Sequence, residues 1–460
     1  MNNKEILDSF KRKYPKFFIF EDSLQKFGKK YFFLIKKENE KYLVIGEKEF
    51  KFLLITQNTV NLLCKNFQWL NPKVCGLKNS FGFGDRIGLA TPGHIKALKN
   101  YNFFPILAQQ SVRELERTGR KFRDVLNSAI LGCFQQGYKN GFGADADHVK
   151  KISDLEKAVN SGFTFFTIDL SEKIQNSKFK IENKKESIQV GKYEKFYFEK
   201  KYKFGKYIFE FTSEEIKKLV FIYGEAIDFI EKCYRFLKSK IPSFDFEISI
   251  DETSIPTTPF AHVFIVEELQ RRKIEFQNLA LKLPGRFEKG IDYKGNLDVL
   301  KKILEIHQKI REKLGSYKIS LHSGSDKFKI YPILKNILGD NFHIKTSGTS
   351  WICAVKTIAE IDFYFFLEIL KCGIKNFKEN SLSYEISAKP NFISIKKLKD
   401  KKTNEIFNDK NIRQIIHISY GSIFSEKKYR DTFYKILKEK EEKYHQELKQ
   451  HLEKHLKLLS

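Results

Sequence analysis

Short apolar runs recur along this chain from Phe81 onward, and amphipathic helical stretches separate them. Strands that alternate with helices pair in parallel through crossover connections, and eight such units suit a closed barrel. The pattern therefore predicts an α/β fold, a (β/α)8 TIM-type barrel. The eight runs are RIGLAT (86–91), FFPILAQQ (103–110), GFGADADH (141–148), FTFFTIDL (163–170), FEISIDE (246–252), FQNLALKL (276–283), YKISLHS (317–323) and FHIKTS (342–347).

Sequence on either side of the barrel, and within it, does not follow this rhythm. Residues 1–80 hold β-like runs such as KYFFLIKK and predict an added N-terminal β-containing region. The barrel is expected over 81–380, with a Lys-rich insertion at 171–212 whose alternating aromatics predict a β-hairpin or meander. Residues 381–460 form a C-terminal extension, in which RQIIHISYGSIF (413–424) is a possible extra strand and a long charged helix closes the chain.

Membrane and secretory signals are missing from the sequence. Lys, Glu or Asn interrupts every apolar run before it reaches membrane-spanning length. The start, MNNKEILDSFKRKYPKFF, lacks the apolar segment of a signal peptide. The six cysteines are scattered without a CxxC pair, which is typical of reduced thiols. We therefore expect a cytoplasmic protein with no membrane partner.

The formal net charge of +27 raises the hypothesis of a nucleic-acid-binding protein. The lysines, however, are spread along the whole chain and form no single block, so the sequence favours no nucleic-acid partner. A basic protein still attracts small anionic substrates through its overall field.

Polar side chains gather where the predicted strands end, at the rim that carries the active site in such barrels. Three histidines and several carboxylates at one rim have the composition of a metal site. Two glycine-rich turns, SLHSGSDKF (320–328) and KTSGTS (345–350), offer backbone N–H groups to an anion. The strand-end residues are Asp147, His148, Asp169, Asp251, Glu252, Lys282, His322, His343 and Lys345.

Seven long motifs mark the barrel region: FGFGDRIGLATPGH (81–94), AQQSVRELERTGRKF (108–122), GFGADADHVK (141–150), IDETSIPTTPFAHVFIVEELQRR (250–272), RFEKGIDYKGNL (286–297), SLHSGSDKFKIYP (320–332) and HIKTSGTSW (343–351). These motifs resemble those of the tagaturonate/fructuronate epimerase family of bacterial hexuronate catabolism. The likeness runs from about Phe81 to the terminal HLEKHL, and it is much weaker in residues 1–80 and in the insertion.

The resemblance implies an isomerase that interconverts the sugar acids D-tagaturonate and D-fructuronate with one divalent metal ion. It implies that His148, His322 and His343 bind the metal, that Asp147 is the proton acceptor and that Glu252 is the proton donor. Three histidines would suit zinc, nickel, cobalt, manganese or iron, so the identity of the metal stays open.

The implied reaction explains why an aspartate and a histidine stand side by side. The two sugar acids differ at a carbon that is not adjacent to the ketone, so simple enolisation cannot invert it. A retro-aldol cleavage can invert this carbon. It needs a base at the hydroxyl and a cation that stabilises the enediolate. Adjacent side chains on a strand point to opposite faces, so Asp147 and His148 converge only if the strand has ended or bulges there.

The substrate carboxylate needs a cation and free N–H groups. We predict that Lys345, the turn Ser323–Gly324–Ser325 and the Gly348–Thr349 turn supply them, with Arg86 as a further candidate.

Two other functions stay open from the sequence. One is a different divalent-metal barrel enzyme, an isomerase or aldolase acting on a related sugar acid. The other is the basic nucleic-acid-binding protein, against which the clustering of site residues argues. The sequence does not indicate whether the chain is a monomer or an oligomer.

Overall fold

The computed structural model describes residues 2–175, 184–253 and 255–460, and of residues 184–189 the backbone alone. The N-terminal region is a four-stranded antiparallel sheet in the order β1-β2-β3-β4, which confirms the predicted β-containing region. One face of the sheet packs on Ile6 and Phe10 of the first helix, and Phe32, Leu34 and Leu43 on the other face join the main core. The elements are α1 (Asn3–Lys13), β1 (Phe18–Phe27), β2 (Lys30–Lys37), β3 (Glu40–Gly46), β4 (Phe50–Leu54) and α2 (Gln57–Asn66).

The first half of the barrel begins earlier than predicted. Its first strand is SFGF, and the prediction of a strand at 86–91 was wrong. Residues 86–91 instead wrap around the Asp85 carboxylate, which accepts hydrogen bonds from the N–H groups of Ile87, Gly88 and Ala90 at 2.8–3.0 Å. The elements are β5 (Ser80–Phe83), α3 (Thr91–Leu98), β6 (Phe104–Ser111), α4 (Val112–Thr118), α5 (Phe122–Gln135), β7 (Gly143–Val149), α6 (Ile152–Ser161) and β8 (Phe165–Asp169).

The Lys-rich insertion contains the predicted hairpin, in which β9 pairs antiparallel with β10. A helix that was not predicted precedes the hairpin, and residues 176–183 of the insertion lie outside the described residues. The elements are α7 (Lys184–Tyr197), β9 (Lys201–Phe204), β10 (Tyr207–Glu210) and α8 (Ser213–Lys240).

The second half of the barrel repeats the strand–helix unit four more times. The elements are β11 (Asp245–Ser249), α9 (Pro259–Arg271), β12 (Asn278–Ala280), α10 (Leu297–Leu314), β13 (Lys318–Leu321), α11 (Tyr331–Leu338), β14 (Phe342–Thr346) and α12 (Gly348–Ile361).

The eight strands form a closed parallel barrel in the order β5-β6-β7-β8-β11-β12-β13-β14, which confirms the predicted fold. The last strand closes onto the first, with His343 opposite Ser80 and Lys345 opposite Gly82. Because all strands run in the same direction, their carboxyl ends meet at one rim.

The C-terminal extension is helical. The prediction of a strand at 413–424 was wrong: β-branched residues favoured it, but the apolar positions Ile412, Ile416, Tyr420 and Ile423 recur at helical spacing and are buried in α16. The elements are α13 (Phe363–Lys375), α14 (Phe377–Ser381), α15 (Thr403–Asn408), α16 (Lys410–Ser425), α17 (Lys427–Glu439) and α18 (Glu441–Leu459). Short 3-10 helices lie at Gln68–Leu70, Pro390–Phe392 and Ile395–Leu398.

The helices and the cysteines also bear on two predictions, the absence of a membrane span and the reduced thiols. No helix in the described part of the chain combines the length and the apolar content that crossing a membrane requires. All six cysteines are free, and five of them are buried.

Candidate active site

The barrel interior carries charge where barrels of this kind commonly pack branched aliphatic side chains. Lys345 Nζ, from β14, lies 2.8 Å from Asp145 Oδ2, 2.9 Å from Asp147 Oδ1 and 2.6 Å from Glu247 Oε1. It also donates a hydrogen bond to Thr167 Oγ1 at 2.5 Å. Burial would lower the pKa of Lys345, but the three carboxylates outweigh burial and raise it well above its usual value. The ammonium is therefore the centre of a buried ion network below the rim.

A bulge at the end of β7 brings Asp147 and His148 to the same side. The pairing of β7 with β8 shifts register between Ala146 and Val149. His148 has a φ of 53°, the left-handed conformation that non-glycine residues seldom adopt. His148 Nδ1 then lies 2.8 Å from Asp147 Oδ1. The predicted break in strand alternation is confirmed.

His148 and His322 face each other across the rim, with ring centroids 4.8 Å apart. One nitrogen of each ring is hydrogen-bonded to a carboxylate. His148 Nδ1 contacts Asp147 Oδ1, and His322 Nε2 contacts Glu247 Oε1 at 2.6 Å. The other nitrogen of His322, Nδ1, lies 3.0 Å from Asp251 Oδ1.

The protonation of the two rings follows from these carboxylates. Burial would lower the pKa of His148, but Asp147 outweighs burial and raises it to about 10. Asp251 and Glu247 likewise outweigh burial and raise the pKa of His322 to about 9. The rim therefore attracts positive charge, whether protons or a cation.

Glu252 lies on the far side of His148 from Asp147. Its Oε1 is 3.7 Å from His148 Nε2 and 3.2 Å from the Arg113 guanidinium. Burial would raise the pKa of Glu252, but His148 and Arg113 outweigh burial and lower it. The pKa of Asp147 is also held well below its usual value, because His148 and Lys345 together outweigh burial. The two predicted proton-transfer carboxylates thus flank one imidazole ring and favour ionisation.

His343 does not join this group. Its Nδ1 lies 2.9 Å from Ser80 Oγ, and its ring packs 5.5 Å from the Phe165 ring, centroid to centroid. It is fully buried within the barrel, and burial lowers its pKa well below the usual value.

Two of the predicted carboxylate-binding groups are already engaged. Lys345 is enclosed by its three carboxylates. In the turn after β13, the Gly324 N–H donates to the Lys345 carbonyl at 3.0 Å, and the Ser325 carbonyl accepts from Lys327 Nζ at 3.0 Å. Ser323 lines the cavity described below, whereas Gly324 and Ser325 do not.

Arg86 lies at the edge of the site, where other residues hold it. Its Nε donates to Glu114 Oε1 at 2.7 Å, and one terminal nitrogen donates to the His417 carbonyl at 2.7 Å. The guanidinium also stacks 4.0 Å from the Tyr420 ring centroid. These contacts give Arg86 a packing role at the wall of the cavity.

A cavity of about 350 Å³ opens directly above the rim. This volume suits a small ligand. The strap Leu382–Glu385, between α14 and the 3-10 helix at Pro390–Phe392, forms part of its wall. Residues at the cavity that the sequence did not indicate are Arg113, Lys289, Phe287 and Tyr384, and the partners beneath it that it did not indicate are Thr167 and Glu247. Asp145 belongs to the predicted cluster around His148, and the structure gives it a place beside Lys345.

The donor atoms at the rim fit a metal ion. Ligand atoms of Asp147, His148 and His322 lie within 4.8 Å of one another, and so do those of His148, Asp169 and Glu252. Histidines that bind metals usually give their other ring nitrogen to a carboxylate. His148 and His322 both show that pattern, and their other nitrogens, His148 Nε2 and His322 Nδ1, lie 3.7 Å from Glu252 and 3.0 Å from Asp251.

Comparison with known proteins identifies the family of this chain. A sequence model of the tagaturonate epimerase family matches residues 20–459. A curated relative from Thermotoga maritima, named tagaturonate/fructuronate epimerase, is 42% identical over 479 aligned residues and 99% of each chain. Among solved structures, the glycerol-complexed fructuronate-tagaturonate epimerase UxaE from Cohnella laeviribosi has a TM-score of 0.92 at 32% identity over 99% of each chain. The native form of that enzyme has a TM-score of 0.91 with the same identity and coverage. This chain therefore belongs to the tagaturonate epimerase family, which confirms the resemblance of the sequence motifs.

Proposed function

We propose that this chain interconverts D-tagaturonate and D-fructuronate. The observation that carries the proposal is the placement of Asp147 and Glu252 on opposite sides of His148, at 2.8 and 3.7 Å, beneath a cavity the size of a small ligand. Inverting one carbon requires proton transfer at two faces of the substrate, and this arrangement offers a carboxylate for each. The names of the Thermotoga and Cohnella relatives agree with the proposal.

The proposed roles of the two carboxylates follow from the retro-aldol route. Asp147 accepts the proton of the hydroxyl on the carbon to be inverted, and the C–C bond toward the ketone breaks. The electron pair of that bond moves into an enediolate, and the other fragment becomes an aldehyde that carries the carboxylate. The aldehyde turns over, the bond re-forms on its other face, and Glu252 donates a proton to the new alkoxide. The lowered pKa of Asp147 suits its role as acceptor, whereas Glu252, whose pKa is also lowered, takes up a proton from solvent before it donates one. The reverse reaction exchanges the two roles.

We further propose that His148 and His322 hold one divalent ion. A bound ion would supply positive charge that stabilises the enediolate. The support is the pair of ring nitrogens that face the carboxylates of Glu252 and Asp251, each opposite a nitrogen fixed by another carboxylate. His343 lies outside the group and is left out of the proposed ligand set.

The direct test is incubation of the metal-reconstituted protein with D-tagaturonate in D2O, followed by carbon-13 NMR. We expect D-fructuronate to form with no deuterium at the inverted carbon, because the retro-aldol route moves no hydrogen bound to that carbon. Deuterium at that position would show that the hydrogen on the inverted carbon is removed, and it would contradict the retro-aldol route. Three-carbon products without D-fructuronate would indicate an aldolase instead, and no product with any of the five candidate metals would contradict the proposed function.

A further inference from the structure

The cations at the cavity differ in whether a carboxylate already neutralises them. Arg86 is paired with Glu114 at 2.7 Å, Arg113 with Glu252 at 3.2 Å, and Lys345 with three carboxylates. Lys289 also lines the cavity, and among residues 2–175, 184–253 and 255–460 no carboxylate lies within ion-pair distance of its Nζ. Lys289 therefore has its charge available for a ligand.

The loop that carries Lys289 is held in place by the residue before it. Glu288 is fully buried, and its carboxylate accepts hydrogen bonds from Ser387 Oγ at 2.5 Å and from Gln414 Nε2 at 2.9 Å. Lys294 Nζ lies 3.3 Å from the same carboxylate. This anchoring fixes the backbone from which Lys289 reaches the cavity.

The Lys289 side chain points to the reacting end of the cavity. Its Nζ donates a hydrogen bond to Ser323 Oγ at 2.9 Å, and Ser323 directly follows His322 in the chain. Lys289 is also one of the charges that lower the pKa of Glu252. An ammonium and a hydroxyl side by side can both donate to one carboxylate, and bonds to a charged group are the stronger kind.

We propose that Lys289, together with the Ser323 hydroxyl, binds the carboxylate of the sugar-acid substrate and so selects uronates over neutral ketohexoses. The inference rests on the proposed function. It assigns the carboxylate to the half of the substrate that becomes the aldehyde, so that Lys289 holds this fragment while its aldehyde group turns over.

The test compares Lys289→Met with wild type on D-tagaturonate and on neutral D-tagatose. Loss of a charged hydrogen bond costs about 1.5–3 kcal/mol, so we expect the KM for tagaturonate to rise by about 10- to 150-fold. The KM for tagatose should stay within about twofold. Racemic glycerate, a three-carbon anionic mimic of the held fragment, should inhibit wild type and lose its inhibition in the variant by a similar factor.

Lys329→Met is the control, because Lys329 is exposed outside the cavity and likewise has no ion pair within the described residues. A variant of Lys329 that raises the tagaturonate KM as much as Lys289→Met would indicate a general field effect and overturn the assignment. Equal losses on tagaturonate and tagatose in Lys289→Met would overturn it as well. If wild type itself fails to convert tagaturonate, the proposed function fails, whereas an active wild type with an unaffected Lys289→Met refutes the Lys289 inference alone.

Discussion

Lys345 Nζ lies 2.9 Å from Asp147 Oδ1, although the two residues are 198 positions apart in the chain. The ammonium is 2% exposed and also contacts Asp145 and Glu247. It therefore fixes the carboxylate that we propose as proton acceptor and neutralises part of the charge around it. This contact gives Lys345 a role in building the site, which differs from the substrate-carboxylate role that the sequence predicts for it.

Lys345→Met should destabilise the protein strongly. Removing one partner of a buried ion network leaves the remaining charges uncompensated, which costs about 3–5 kcal/mol. We expect that loss in the free energy of unfolding measured by urea denaturation, and any turnover lost should be lost equally on tagaturonate and tagatose. Lys282→Met should change stability by less than about 1 kcal/mol. A stable Lys345→Met that loses affinity for tagaturonate alone would restore the predicted carboxylate-binding role.

Asp147→Asn should abolish most turnover and leave the metal content unchanged. The amide cannot accept the hydroxyl proton, and general-base catalysis commonly contributes about 10²- to 10⁴-fold. Glu252→Gln should behave in the same way at the opposite face. Elemental analysis of the purified variants checks the metal content alongside the NMR assay. Loss of metal in Asp147→Asn would instead identify Asp147 as a ligand, since its carboxylate belongs to the same cluster of donor atoms.

His322→Ala and His343→Ala should differ in metal content. His322 lies at the rim among the donor atoms of Asp147 and His148, whereas His343 Nδ1 lies 2.9 Å from Ser80 Oγ inside the barrel. We expect elemental analysis to find about one ion per chain in His343→Ala and a marked loss in His322→Ala. Circular dichroism of both variants establishes that they are folded. Equal loss of metal in both would return His343 to the ligand set that the resemblance implies.

The sequence could predict the rim because parallel strands bring their ends together. Asp147, His148, Glu252 and His322 follow directly from that rule. The rule does not, however, predict how far from the rim a residue lies along its strand. His343 lies two residues before Lys345 on the same strand, so it sits about 7 Å nearer the other end of the barrel.

The alternation of strands and helices in the sequence does not predict contacts between distant loops. Lys289 lies in the loop between β12 and α10, and its orientation depends on Glu288 contacting residues of the C-terminal extension. Glu247 lies in the middle of a buried strand, where its role emerges only once Lys345 and His322 are seen to meet it. The first strand was misplaced because the apolar residues Ile87 and Leu89 belong to a turn around Asp85.

The last prediction concerns Asp326, whose contacts join the barrel to the C-terminal extension. Its carboxylate lies 2.7 Å from the Arg413 guanidinium and 2.6 Å from His451 Nε2, and its N–H donates to His455 Nε2 at 3.0 Å. Its φ is 58°, a conformation that asparagine also tolerates, so Asp326→Asn removes the charge with little backbone strain. Because the charge is buried and paired, we expect the free energy of unfolding at pH 7 to fall by about 3–5 kcal/mol.

This loss should depend on pH in a defined direction. Burial would raise the pKa of Asp326, but Arg413 and His451 outweigh burial and hold it well below its usual value. A carboxylate with a lowered folded-state pKa contributes stability above its unfolded pKa of about 3.9 and loses it as the pH falls toward the folded value. Urea denaturation should therefore show a large gap between wild type and Asp326→Asn at pH 5 that narrows below about pH 3.9. Asp340→Asn, whose carboxylate is 73% exposed beside Lys335, should show little gap at either pH. A gap for Asp326→Asn that widens on acidification would contradict the assigned ion pairs.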